Sequence, residues 1–464
     1  MVDKGTKRPY VQCIGHSSIG VTQSCYVIRY KKYKIVFDCG LYQEADIATN
    51  YKNNKELLKK IKPQNIDWII LHECHVDHTG LIPALYAQGC KAHLIVPEGS
   101  TDILKLLWED TMKIFTQDCV RLNRTGKKAT PFYTQQDIEI ALARIVEVPV
   151  KTRHYLTNDI SFMYYPANHI IYACQIAMEF QEGSIIKRLN FTGDVGGSFE
   201  QPYVLPRETL PYCNLLLSES TYNEPERKNQ KYDREKDLEK IVAVINNSHR
   251  VLFPCFSLGR TQLLLTELYR LYKQGNLKEN ICVLLDSPLA QRICNVWPLT
   301  KEWREVITWD KLHCVANNEE TVARLGDHKP YIILSASGFL SGGKVVEWLK
   351  AVLPDRRNTV MFCGYSGKNN LASQIRFGQK DVKVEKDMVS NNANIIELVS
   401  FSSHASYEEL TDYLLNQCRY DKVILVHGES TGKVKFAHML QDKLAEQGKS
   451  SRVIASNMDT KVYF

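Results

Sequence analysis

No apolar run in this sequence approaches the ~18–20 residues needed to cross a bilayer. The longest candidates, such as Trp68-Ile69-Ile70-Leu71, are strand-sized. The stretch from Met1 to Tyr10 is basic but lacks the apolar segment of a secretory signal, so none is expected. There is no visible internal repeat and no low-complexity tract, which argues against a repeat architecture. The 14 cysteines include no CxxC pair, and Cys213, Cys255, Cys282 and Cys363 sit beside apolar runs. They read as small buried thiols, so a reducing, cytoplasmic setting is expected.

Charge of one sign is also scarce. Lys and Arg number 59 against 52 acidic residues, a net +7 spread over 464 residues. That permits a polyanion partner without arguing for one. Lys31-Lys32-Tyr33-Lys34 reads as a solvated strand end or hairpin turn. With 44% hydrophobic and 24% charged residues, the chain has ordinary globular composition and room for two or three domains.

What is present reads as layered α/β structure. Tyr10 to Ile14 and Ser24 to Tyr30 predict strands around the loop Gly15 to Gly20, and Ile35-Val36-Phe37 ends at Asp38-Cys39-Gly40. Asp67 to Leu71 predicts another strand, with a helical stretch after Gly80. The middle differs: a charged helix over 231–246, strands at Arg250 to Phe256, Asn280 to Leu285 and Tyr331 to Leu334, and helices at Thr261 to Tyr272 and Val345 to Val352. This alternation predicts a parallel sheet in a domain of its own. Apolar strands at Ile395 to Ser400 and Lys422 to Val426 each run toward a histidine.

The sharpest local signal is His72-Glu73-Cys74-His75-Val76-Asp77-His78-Thr79-Gly80. Three imidazoles and two carboxylates on a turn leaving a buried strand are costly unless something binds them, and both are donors that Zn²⁺ takes. On such a turn, some side chains can point to one cation and some to a second. Two close cations can clamp the attacking and leaving oxygens of a displacement. Asp38, His169, Asp194, His404 and His427 likewise end apolar runs. Each alone could be a structural residue; together they suggest one site at one rim of a sheet sandwich.

On these residues the chain resembles the metallo-β-lactamase fold nucleases with a β-CASP insertion. In style it is similar to the RNA 3′-end processing endonucleases, among them the cleavage and polyadenylation and Integrator nuclease subunits and their prokaryotic relatives. Asp38-Cys39-Gly40 resembles the first lactamase motif, Glu73 to His78 occupies the HxHxDH position, His169 matches the third-motif histidine, and Asp194 matches the bridging aspartate. Ser218-Glu219-Ser220-Thr221-Tyr222, Phe401-Ser402-Ser403-His404-Ala405 and Leu425-Val426-His427-Gly428 resemble the three β-CASP motifs. Phe256 to Gln262, Asp286 to Ala290, Ser335 to Lys344 and Gly364-Tyr365 are similar to segments of the insert. Two departures stand out. The family's first ligand histidine falls at Glu73, with His72 one place early, and Ser366-Gly367-Lys368-Asn369-Asn370 replaces the usual Gly-Thr pair.

The resemblance implies an αββα metallo-β-lactamase sandwich (1–223 and 376–464) with an inserted α/β β-CASP domain (224–375). It implies two Zn²⁺, with Mn²⁺ as an alternative. Glu73, His75 and His169 would hold one metal, Asp77, His78 and His427 the other, and Asp194 would bridge. Occupancy of the first position depends on Glu73: it could ligate, the turn could shift so that His72 swings in, or neither could reach. Asp38 is expected to orient a histidine, and His404, held by Glu219, to protonate the leaving oxygen. Arg260, Ser337, Gly338, Lys344 and Ser402 are expected to contact phosphates. The implied activity is hydrolysis of phosphodiester bonds in single-stranded RNA. The rivals are a catalytically weakened RNA-binding scaffold and a DNA-directed nuclease of the same superfamily. A small-molecule hydrolase would need neither the middle domain nor the two late histidines. No KH-like region flanks the motifs, so specificity is expected from protein partners. A homodimer is compatible, and no membrane association is expected.

Overall fold

The strand-sized apolar runs of the lactamase-like segments pair into two seven-stranded sheets in a computed structural model of the chain, which describes residues 8–43, 46–230, 232–338, 340, 342–364 and 370–464. The expectations at Phe339, Ser341 and 365–369 lie outside the described residues. The chain divides into two compact units: Met1–Glu200, Val204–Gln230 and His404–Phe464 form one, Gln201–Tyr203 and Lys231–Ser403 the other.

In the first unit, one sheet runs Lys461–Tyr463, Tyr10–Cys13, Tyr26–Tyr30, Tyr33–Phe37, Trp68–Ile70, His93–Pro97, Ile145–Val148. The second runs Arg452–Ala455, Tyr420–Leu425, Cys213–Ser218, Ile185–Phe191, Cys174–Glu182, Ile160–Pro166, His154–Thr157. Val11, Ile28, Ile35, Phe37 and Ile70 of the first meet Phe162, Ile176, Met178, Phe191, Leu217 and Ile424 of the second in one continuous core. Alternate residues of each strand thus fill the space between two sheets, and the helices cover the outer faces. Ile82–Ala87, Thr101–Arg124 and Gln135–Leu142 pack on one another, and Ser430–Glu446 packs on the strand Arg452–Ala455.

The second unit is built on a six-stranded, all-parallel sheet: Leu312–Cys314, Val283–Asp286, Tyr331–Ser335, Arg250–Pro254, Thr359–Phe362, Asn394–Glu397. Helix Lys344–Val352 lays Val345, Trp348, Leu349 and Val352, spaced for one helical face, onto Leu252, Ile333 and Val360. This compact unit includes residues beyond 375. The hairpin Asp381–Val384/Asp387–Ser390 buries Val382, Val384 and Val389 in the same core, and Asn394–Glu397 pairs with Thr359–Phe362. The run expected as a strand from Ile395 to Ser400 is a strand only to Glu397; Val399–Phe401 is a 3-10 turn. No helix among the described residues is long and apolar enough to cross a membrane. All 14 cysteines are free, and all but Cys282 and Cys314 are buried.

Candidate metal centre

The rim of the first unit is assembled from residues that follow the carboxyl ends of its strands. Asp38 follows Tyr33–Phe37, His72 and Glu73 follow Trp68–Ile70, and His169 follows Ile160–Pro166. Asp194 follows Ile185–Phe191, Glu219 follows Cys213–Ser218, and His427 follows Tyr420–Leu425. Parallel registers such as Phe191↔Leu217 and Ser218↔Leu425 bring these ends level. Loops leaving parallel strands at one edge are where open α/β sheets gather ligand-binding groups. Asp77 and His78 enter on the short helix Val76–Thr79, and His404 lies just before the helix Tyr407–Asp412.

The backbone is bent to the purpose at three of these places. Asp38, Asn168 and His427 have φ of 58°, 57° and 48°, a region non-glycine residues avoid. Asn168 is held by donating from Nδ2 to the carbonyls of Gly197 (2.7 Å) and Phe199 (3.0 Å), which fixes the loop that carries His169. Gly193, at φ 56°, lies flat against the His72 ring where a Cβ would collide.

The side chains converge in four groups, each with ligand atoms within 4.8 Å of one another: Glu73, His75 and His169; Asp77, His78, Asp194 and His427; His169, Asp194 and His404; and Asp38, His72 and His78. Glu73 Oε1 is 3.0 Å from His75 Nδ1, and Oε2 is 3.5 Å from His169 Nε2. His78 Nε2 faces Asp77 Oδ2 (3.3 Å), Asp194 Oδ2 (3.4 Å) and Glu73 Oε1 (3.5 Å). His427 lies 3.4 Å from Asp77 and from Asp194. Asp194 thus touches the first two groups, reaching His78 and His427 on one side and, at 3.8 Å, His169 on the other.

Around them stands an orienting layer. Asp38 Oδ2 accepts from His78 Nδ1 at 3.0 Å and is 2.8 Å from His72 Nδ1. His72 Nε2 accepts the backbone N–H of Asp194 (3.2 Å), which places the ring proton on Nδ1 toward Asp38. His72 Nδ1 makes no hydrogen bond at that distance, and His72 groups with Asp38 and His78 rather than with Glu73 or Asp194. Glu219 accepts from the N–H of Val195 (2.6 Å) and receives His404 Nδ1 at 3.1 Å, while His404 Nε2 points toward Asp194 Oδ2, 4.0 Å away. Thr221, not singled out from the sequence, sets its hydroxyl 3.0 Å from His427 Nδ1. A buried threonine one turn from a strand end carries no sequence signal of that role.

Burial disfavours the charged form of Glu73, yet His75 and His169 draw its carboxyl down to about 2. The same opposition holds Asp77, beside His78, and Asp194, beside His427, well below the usual carboxylate range. Burial would also neutralise the imidazoles. The facing carboxylates overcome it at His75, His78 and His427, and Glu219 does so at His404, whose pKa rises. At His169 burial wins, and its pKa falls to about 3. Glu73 Oε2 and His78 Nε2 are buried without a hydrogen-bond partner. Ionised carboxylates and imidazole nitrogens packed this closely fit divalent cations, which would take the place of the imidazole protons and offset the desolvation.

The phosphate-contact candidates sit in the second unit. Arg260 is buried and donates to the Phe401 carbonyl and to Gln201 Oε1 (2.8 Å). Gly338 abuts the Phe256 ring. Ser402 closes the turn Val399–Phe401 through its N–H. Lys344 opens its helix, with Nζ 3.9 Å from Glu347 and no hydrogen-bond partner among the described residues. Ser337 lies between the strand Tyr331–Ser335 and that helix.

Three segments of the chain match family descriptions in order: metallo-beta-lactamase superfamily over residues 19–174, Beta-Casp domain over 261–375, and Zn-dependent metallo-hydrolase RNA specificity domain over 389–451. A ribonuclease of Thermus thermophilus is 26% identical over 423 residues, covering 88% of this chain and 91% of the relative. An RNase J-like protein of Methanocaldococcus jannaschii is 25% identical over 91% of the chain and 93% of the relative. Transcription termination factor FttA of the same organism is 25% identical over 95% and 69%. A crystal structure of a protein of unknown function from Enterococcus faecalis superposes with a TM-score of 0.56 at 12% identity, over 98% of this chain and 100% of that one, a likeness of fold.

Proposed function

Because the chain belongs to the β-CASP branch of the metallo-β-lactamase superfamily, we propose that it is a metal-dependent ribonuclease that hydrolyses phosphodiester bonds in single-stranded RNA. One observation carries this reading: Asp194 faces His78 and His427 of one His/carboxylate group at 3.4 Å and His169 of the other at 3.8 Å, and His404 is held by Glu219 at their edge. Relatives of similar length named ribonuclease and RNase J-like support the substrate class.

Glu73, His75 and His169 would hold one divalent cation and Asp77, His78 and His427 the other, with Asp194 between them. Zinc suits the imidazole nitrogens. When bound, the pair supplies positive charge for a phosphate and a water made acidic enough to attack it. Asp38 keeps His78 turned so that Nε2 faces inward. Glu219 anchors His404 through Nδ1 and favours its protonated form, leaving Nε2 to hand a proton to the leaving oxygen. Ser337, Gly338, Lys344 and Ser402 are the residues proposed to meet the RNA backbone, whereas the Arg260 guanidinium is taken up by Phe401 and Gln201. The free, mostly buried thiols support an intracellular, reducing setting, and protein partners would supply sequence choice.

The test is cleavage of matched single-stranded RNA and DNA by the purified chain, with metal content measured in parallel. RNA cleavage that a chelator abolishes and added metal restores is expected. Undiminished cleavage by a metal-free sample would overturn the reading, DNA-only cleavage would replace its substrate, and a metal-bearing protein that cuts neither would leave a scaffold.

A further inference from the structure

Resting on the metal-binding reading above, we propose that Glu73 makes this centre oxygen-rich enough to narrow the usual advantage of Zn²⁺ over Mn²⁺. The ligand set is three carboxylates (Glu73, Asp77, Asp194) and four imidazoles (His75, His78, His169, His427). Imidazole suits zinc, whereas carboxylate oxygen suits harder cations such as Mn²⁺, and affinity otherwise rises from Mn²⁺ to Zn²⁺ at a given site. A carboxylate in place of an imidazole therefore moves the balance in one direction.

The geometry gives Glu73 more reach than a single-site ligand. Its Oε1 lies 3.0 Å from His75 Nδ1 and 3.5 Å from His78 Nε2, so it faces a nitrogen of each group. Its Oε2 lies 3.5 Å from His169 Nε2, fully buried and without a hydrogen-bond partner. Asp194 spans the same two groups, with Oδ2 3.4 Å from His78 and 3.8 Å from His169. Two anionic carboxylates thus lie across the centre.

His72 does not take the vacated role. Its Nε2 accepts the Asp194 N–H and its Nδ1 faces Asp38 at 2.8 Å, so swinging it inward would break both contacts. A one-residue slip of the preceding strand would also turn over Ile69 and Ile70, which are fully buried and paired with Val36 and Phe37.

The experiment is competitive titration of the apo protein with Zn²⁺ and Mn²⁺ by calorimetry and metal analysis, without RNA, comparing wild type with Glu73→His and Glu73→Gln. In Glu73→His the Zn²⁺-over-Mn²⁺ preference should rise by about 10–100-fold, the scale on which even ligand-supporting residues alter affinity. Glu73→Gln, similar in shape but neutral, should lose Mn²⁺ affinity more than Zn²⁺ affinity. Each variant's thermal unfolding is followed alongside, and the comparison uses whichever variant stays folded. An unchanged preference ratio in the folded variants would overturn the proposal, as would loss of one metal in His72→Ala alone. These readouts need no substrate, so failure to cut RNA would sink the ribonuclease reading and leave this one standing.

Discussion

Both units follow buried parallel strands with polar residues, and they use them differently. In the second unit, Asp286 ends the strand Val283–Asp286 and is buried, but its Oδ2 accepts from Thr321 Oγ1 (2.9 Å) and Trp348 Nε1 (2.8 Å). Ser335, at the end of the neighbouring strand, donates to the Asp286 carbonyl at 2.8 Å. Every one of these groups has a complementary neighbour, so the carboxylate ties the helices Asn318–Gly326 and Lys344–Val352 to the sheet. In the first unit the strand ends bring carboxylates and imidazole nitrogens to face one another, and Glu73 Oε2 and His78 Nε2 find no hydrogen bond. A buried acid with donors around it holds a fold together; buried acids sharing the same few imidazoles call for a cation.

Substitution should separate the two kinds of acid. Asp194→Ala removes the carboxylate that faces imidazoles of both ligand groups, and RNA cleavage should fall to background with loss of bound metal; retained stoichiometric metal and activity would erase the contrast. His404→Ala should cut the cleavage rate by roughly 10²–10⁴-fold, the usual contribution of a general acid, while metal content stays near that of the wild type. Loss of metal in that variant would make His404 a ligand instead. Asp286→Ala should do the reverse of both: full metal content at the first unit, but a second unit destabilised by about 1–3 kcal/mol, because buried donors lose their acceptor. Thermal unfolding with metal analysis on the same sample reads both quantities.

The rim was legible in the sequence because its residues share one local pattern, a polar group directly after an apolar run. Asp38, His169, Asp194 and His427 could be gathered on that ground alone, and the two facing sheets bring those strand ends together. The choice between Glu73 and His72 was not legible. It turns on the backbone N–H of Asp194 and on Asp38, which are distant in sequence from the turn. The contact of Thr221 with His427 and the anchoring by Asn168 were not visible for the same reason, since a hydroxyl or amide acquires its role only from what the fold brings beside it. That Asp381–Val384 and Asp387–Ser390, a short hairpin, join the core of the second unit was not visible in sequence, because only their packing assigns them to it. Among the basic residues, sequence alone left Arg260 between phosphate and internal duty; its guanidinium is already occupied by Phe401 and Gln201.

Lys344 is the exception that sharpens the comparison on the second unit's side. It is the first residue of helix Lys344–Val352, where a positive charge opposes the helix dipole at a cost of about 0.3–1 kcal/mol. Its ammonium has no hydrogen-bond partner among the described residues, and Glu347 is 3.9 Å away. Unlike Asp286, it has no hydrogen-bond partner among the described residues, which keeps it a candidate for a phosphate contact. Lys344→Met keeps most of the side-chain length and removes the charge, so stability should be equal or slightly higher. Binding of single-stranded RNA to a cleavage-inactive background should weaken, and the slope of log affinity against log salt should shrink by about 0.7, the value for one phosphate contact on a single strand. A destabilised variant with an unchanged salt slope would place Lys344 with Asp286 among the residues that serve the fold.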